Sequence, residues 1–221
     1  MTRRLVPVTA DNVADLPTPC LDCTFWETGR SNRSLNDAHR ASGDDKNDWV
    51  SSVLLEWGRC GRIVYVDGEV AGFALYAPAK YVAGRPPFGA GPPSRDSVVL
   101  MSARIMPEFT EAGLGRVLIQ SVVKDALRRR GARSLEAYGD VLSQPLQCFL
   151  PVDFLTAVGF RTVHQHPRYP LLRLELRNVM WWRSEVEEAL ERWLGALRPE
   201  VARGPAGVSP RADPEGALRR R

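Results

Sequence analysis

Gly113-Leu114-Gly115 is the arrangement in this chain best suited to holding a phosphate. It follows an apolar run, Val98 to Met106, and the polar turn Pro107 to Ala112, and it opens an amphipathic segment. The order is therefore strand, glycine turn, helix. The first N–H groups of a helix lack internal acceptors, and the macrodipole adds partial positive charge at that end. Glycines at 113 and 115 let an anion reach the backbone with no β-carbon in the way, and Arg116 adds a charge-assisted contact. The spacing is not the Gly-x-Gly-x-x-Gly of a dinucleotide site, and no Gly-Lys-Ser/Thr follows as in a P-loop. The plainer alternative is a turn in which glycine only allows close strand–helix packing.

Sulfur and imidazole are the other reactive groups. Cys20 and Cys23 have the spacing of half a zinc site or of a redox pair, with Cys60 and Cys148 elsewhere. A second close ligand pair is absent, and His39, His164 and His166 do not supply one, so reduced thiols and no metal are expected. Cys148 as an acyl-carrying nucleophile is chemically conceivable, but nothing near it in sequence would lower its pKa. His164 and His166, just before Pro167, read as surface or packing residues.

The elements that must position these groups follow from periodicity. Residues 1–10 read as a strand and Asp11 to Leu16 as a helical turn. The stretch from Pro17 to Asp48 reads as irregular, and Asp48 caps a helix to about Trp57. Arg62–Val66 and Val70–Tyr76 are β-rich runs joined by Asp67-Gly68, which supplies the positive φ angles of a two-residue hairpin turn. Pro78 to Asp96, with two Pro-Pro pairs, is a long loop. The glycine-turn helix runs to Arg130 and stops at Gly131. Ser134–Tyr138 is a strand, Asp153–Val158 a short helix, and Arg161–His164 and Leu171–Leu176 the last strands. Ser184 and Glu187 form a capping box for a helix over 184–197, with Val186, Leu190, Trp193, Leu194 and Leu197 on one stripe. Residues 199–221 are rich in Gly, Pro, Ala and Arg and are expected to be disordered.

Composition bounds the rest. The 221 residues fit one domain, 1–198, with a tail. The net charge of +4 would suggest nucleic acid if it lay on the domain. From Arg198 onward, however, six arginines stand against Glu200, Asp213 and Glu215, so +3 of it sits in the tail and argues against a nucleic-acid surface. No apolar run approaches the roughly 20 residues of a membrane span, and no signal core follows the N-terminus, so a cytoplasmic protein is expected.

The order of hairpin, apolar strand, Gly-x-Gly helix, strand, short helix and Gly159-Phe160 turn resembles the GNAT (GCN5-related) N-acetyltransferase superfamily. Thr110-Glu111-Ala112-Gly113-Leu114-Gly115 stands where the family has Gln/Arg-x-x-Gly-x-Gly/Ala, and the likeness covers about residues 60 to 176. Phe25-Trp26-Glu27 and the Cys148 to Phe160 stretch resemble an actinobacterial subgroup. The resemblance implies an α/β (α+β) fold, with a mixed, twisted central sheet and flanking helices. It also implies acetyl-CoA as acyl donor to a primary amine of a small molecule or protein. The main chain of Ile105 and Met106 would hold the pantetheine arm, and the amides of Ala112, Gly113, Leu114, Gly115 and Arg116 the pyrophosphate.

Two departures bear on catalysis: Thr110 replaces the usual Gln or Arg, and Leu155 stands where many members carry a tyrosine acid. Glu136 and Tyr138, beside the implied thioester slot, are the candidate base and acid; the alternative is a solvated glutamate and a packing tyrosine. Trp26 and Glu27 fall in the implied acceptor region, where a carboxylate and an indole face suit a cationic amine. Trp181, Trp182 and the helix at 184–197 would cover the sheet or form a homodimer contact. The competing reading is an inactive GNAT-like module that binds CoA or a protein partner.

Overall fold

A computed structural model describes residues 2–28, 43–84, 90–129, 131–143 and 148–177. The expected C-terminal helix at 184–197, Trp181, Trp182 and the tail from 199 lie outside these residues. The strands are β1 (Arg3–Pro7), β2 (Gly61–Val66), β3 (Glu69–Pro78), β4 (Ser97–Ile105), β5 (Ser134–Asp140), β6 (Leu150–Pro151), β7 (Arg161–His164) and β8 (Leu171–Glu175). The helices are α1 (Phe25–Thr28), α2 (Gly43–Glu56), α3 (Leu114–Leu127) and α4 (Val152–Ala157). The strands form one mixed sheet in the order β1-β2-β3-β4-β5-β8-β7, with β6 paired to β5. The expected α/β architecture is the one observed.

The β2–β3 hairpin turns at Asp67 (φ 50°) and Gly68 (φ 92°), the positive angles its Asp-Gly pair was expected to supply. Between Pro17 and Asp48 the irregular reading is corrected: α1 forms there, and α2 starts at Gly43, upstream of the expected Asp48 cap. Among the described residues, no helix is long and apolar enough to cross a membrane.

The sheet has a core on each face. On one, Leu114, Leu118, Val122 and Ala126 of α3 pack on Tyr76, Leu100, Leu135 and Ala137. On the other, Trp26, Val50 and Val53 pack on Phe73, Val99, Met101 and Tyr138. Strand alternation thus sends Leu135 and Ala137 of β5 toward α3, and Tyr138 the opposite way.

One irregularity in β4 shapes everything that follows. Tyr76 pairs with Leu100 but Leu75 pairs with Ser102, so Met101 is an extra residue opposite β3. A bulge of this kind bends its strand and disrupts the ladder. The parallel β4–β5 pairing runs only from Ser97↔Ser134 to Val99↔Glu136 and ends just before the bulge. Beyond that point β4 and β5 part.

Candidate active site

Where β4 leaves β5 there is a cavity of about 330 Å³, lined by Ala103 and Ile105 of β4, Gly115 and Leu118 of α3, and Leu150 and Phe154 across from them. Its wall is a strand edge. Met106 N–H donates to Ala71 O at 2.9 Å, and Gly72 pairs with Ile105. In an antiparallel ladder, residues alternate between bonding to the partner strand and facing away from it. Ile105 and Ala103 therefore direct their N–H and C=O groups away from β3, to the edge that β5 has left. An extended chain carrying amides can pair with such an edge.

This geometry sorts the residues expected along the arm. Ile105 has main-chain groups on the slot. Met106 has its N–H on Ala71 and its C=O accepting from Phe109 N–H at 2.9 Å, so its donor is already spent within the fold. Ala103 has the orientation expected of Met106. Sequence reading missed it because the bulge that sets the phase is a long-range feature.

The glycine turn closes the slot. Gly113 adopts a left-handed conformation (φ 69°) and precedes Leu114, the first residue of α3. Gly113 and the Arg116 side chain are exposed. The first-turn amides of α3 have no intrahelical acceptors, as expected of an anion site. A β-carbon on Gly115 would lie 3.0 Å from the Phe154 ring, so any side chain there crowds that wall of the slot. Thr110 also lines the cavity, but its hydroxyl donates to Pro107 O at 3.0 Å rather than reaching outward.

The candidate base and acid, Glu136 and Tyr138, are not among the residues that line the slot. Glu136 is fully buried. Its carboxylate accepts from Ser94 N–H, Ser94 Oγ and Arg173 Nη1, each at 2.8 Å. Three donors on one carboxylate make it an anchor between β5, β8 and the loop before β4. Tyr138 donates its hydroxyl to Gly91 O at 2.6 Å and stacks on Trp26. Leu155, in the position where a tyrosine acid was sought, is fully buried beneath α3.

Trp26 and Glu27 come together in α1, but both are buried. Glu27 pairs with Lys46 of α2, itself buried, so an internal ammonium holds the place expected for a substrate amine. Glu27 Oε2 and Trp26 Nε1 have no hydrogen-bond partner among the described residues. Buried polar atoms without partners on two consecutive residues are unusual in a core. His166 accepts from Arg168 N–H and Tyr169 N–H on Nδ1, and so serves a turn; His164 is exposed on β7.

The thiols do not pair as their spacing suggested. Cys23 Sγ lies 3.7 Å from Cys148 Sγ. The Cys148 contact and the Phe25 amide pull the Cys23 thiol down, against burial, while the same contact and burial push Cys148 up. Burial raises Cys20 as well, an effect that the charges of Arg104 and Lys46 oppose. Among the described residues no cluster of metal-ligating side chains is present.

No family model matches the chain, and no curated protein matches its sequence. Solved structures do match in fold. An N-acetyltransferase from Staphylococcus aureus Mu50 superposes with a TM-score of 0.54 at 13% identity, over 80% of this chain and 99% of that one. The PaiA N-acetyltransferase from Thermoplasma acidophilum, in complex with coenzyme A, gives 0.52 at 12% identity, over 79% and 99%. YncA from Salmonella typhimurium, with its cofactor acetyl-CoA, gives 0.51 at 16% identity, over 80% and 95%. The chain has the fold of the GNAT acetyltransferases.

Proposed function

We propose that this protein is an N-acetyltransferase that moves the acetyl group of acetyl-CoA to a primary amine by direct attack in a ternary complex. The observation that carries the reading is the fork between β4 and β5. A free strand edge at Ala103 and Ile105 runs into the left-handed Gly113 turn and the first amides of α3. An amide-bearing arm ending in a pyrophosphate needs both parts in that order. The amides of Ala112 to Arg116 would take the pyrophosphate and the β4 edge the arm.

In the reaction the neutral amine nitrogen attacks the thioester carbon, the carbon–sulfur bond breaks, and the thiolate leaves. Glu136 and Tyr138 are held by the fold, so the amine's proton passes to solvent and catalysis rests on placement of the two reactants. Under this reading Glu136→Gln destabilises the fold by about 1–3 kcal/mol, because an amide meets three donors where a carboxylate stood. The pH–rate profile keeps its shape. Loss of its basic limb would instead make Glu136 the base.

Calorimetric titration with acetyl-CoA is the direct test. The wild type binds, and Gly115→Glu, whose side chain enters the slot beside Phe154, does not. A folded wild type that fails to bind would overturn the proposal. Binding then justifies screening amines for release of free CoA.

A further inference from the structure

Cys23 and Cys148 stand 125 positions apart in sequence and 3.7 Å apart at sulfur. Cys23 is in the turn leading into α1, and Cys148 lies just before β6. Closing from 3.7 Å to a disulfide of about 2.05 Å needs roughly 1.7 Å of travel, a distance that side-chain rotation supplies. Cys23 is buried while Cys148 is half-buried, so the pair reaches toward the surface through Cys148. The Cys148 contact and the Phe25 amide favour a thiolate at Cys23, against burial and the charge of Glu27, which Lys46 only partly offsets. Cys60 offers the contrast. It is fully buried, its sulfur lies 3.9 Å from Val8 O, and burial pushes its thiol to about 12.

We propose that Cys23 and Cys148 are a redox-active pair that a peroxide converts to an intramolecular disulfide. The Cys23 thiolate attacks a peroxide oxygen, the O–O bond breaks, and Cys23 becomes a sulfenic acid as hydroxide leaves and takes up a proton. The Cys148 sulfur then attacks the Cys23 sulfur, its proton leaves with the hydroxyl as water, and the S–S bond forms. Two thiols and one peroxide give one disulfide and two waters. A dithiol reductant reverses it.

The bond would tie the α1 segment to the residues that run into Leu150, a wall of the slot. Oxidation therefore fixes one side of the slot to the layer across the sheet. The chemistry itself does not depend on what the slot binds.

The full-length wild-type protein, treated with hydrogen peroxide and then blocked with iodoacetamide, is the experiment. Asp22 lies between Cys20 and Cys23, so an Asp-specific protease separates the two cysteines before peptide mapping. The expected result is an intact mass lower by two hydrogens, a Cys23–Cys148 cross-linked peptide, and full return on dithiothreitol. In Cys148→Ser, Cys23 stops at a sulfenic acid that dimedone traps. A Cys20–Cys23 cross-link, a bond between two molecules, or full alkylation of both thiols after peroxide would each overturn the proposal. The wild-type mapping needs no variant to fold.

Discussion

The two faces of the sheet bury charge in different ways. Beneath α3, Asp125 accepts from Arg62 Nε at 2.8 Å and Nη2 at 2.6 Å and from the Tyr76 hydroxyl, so both of its oxygens are used. Burial pushes the Asp125 carboxyl up, but those donors outweigh it and hold it below its ordinary value. On the opposite face, Glu27 meets Lys46 through one oxygen, while its other oxygen and the Trp26 indole N–H have no partner among the described residues. The first network is closed and structural. The second is left incomplete on the side where Arg104 and the sulfur pair also lie, next to the slot. The α3 face is not wholly satisfied either, since Gln120 Oε1 of α3 is buried without a partner among the described residues, so the contrast lies between the two charge networks.

The largest effect expected from breaking this contrast is on the closed face. Asp125→Ala leaves the part-buried Arg62 guanidinium and the buried Tyr76 hydroxyl without their acceptor and lowers stability by about 3–5 kcal/mol in urea denaturation. On the open face, replacing both members of the pair, Glu27→Gln with Lys46→Met, is expected to stay within about 1 kcal/mol of wild type, because the desolvation cost of two charges disappears with their attraction. A joint loss as large as that of Asp125→Ala would erase the distinction between the faces. The smallest effect is kinetic and leaves stability alone. Cys23 has its thiol lowered from 9.0 to about 6, so its thiolate fraction grows as pH rises through that value. Iodoacetamide should therefore label Cys23 with a midpoint near there, while native Cys60 stays unlabelled. Equal labelling of the two, which lie in the same core, would mean that the Cys148 contact gives Cys23 no added reactivity.

What the sequence revealed was local. The Asp67-Gly68 hairpin, the helix from the Gly113 turn and the strands at 134–138 and 161–164 all follow from short-range pattern, and each stands close to where periodicity put it. The features that decide the site are not local. The Met101 bulge exists only against β3, so no inspection of residues 98–106 exposes the phase that favours Ala103 over Met106. Glu136 looked like a base because its strand runs beside the slot, yet Ser94 and Arg173, which occupy it, come from 42 and 37 positions away. Cys20 and Cys23 looked like partners because they are close in sequence. The sulfur that meets Cys23 belongs to the far end of the domain.

Met101 has one more consequence. It is the single residue by which β4 is longer than its partner, and its removal would leave Leu75 opposite Ser102 and Ala74 opposite Ala103 as now. A one-codon deletion would therefore keep every downstream side chain on its present face while straightening the strand. The β4–β5 pairing would then extend past Val99 only as far as β6, which already holds that edge of β5 at Gly139 and Asp140, so the fork would narrow from its base. Such a shortened protein would trade depth of the slot for length of the ladder.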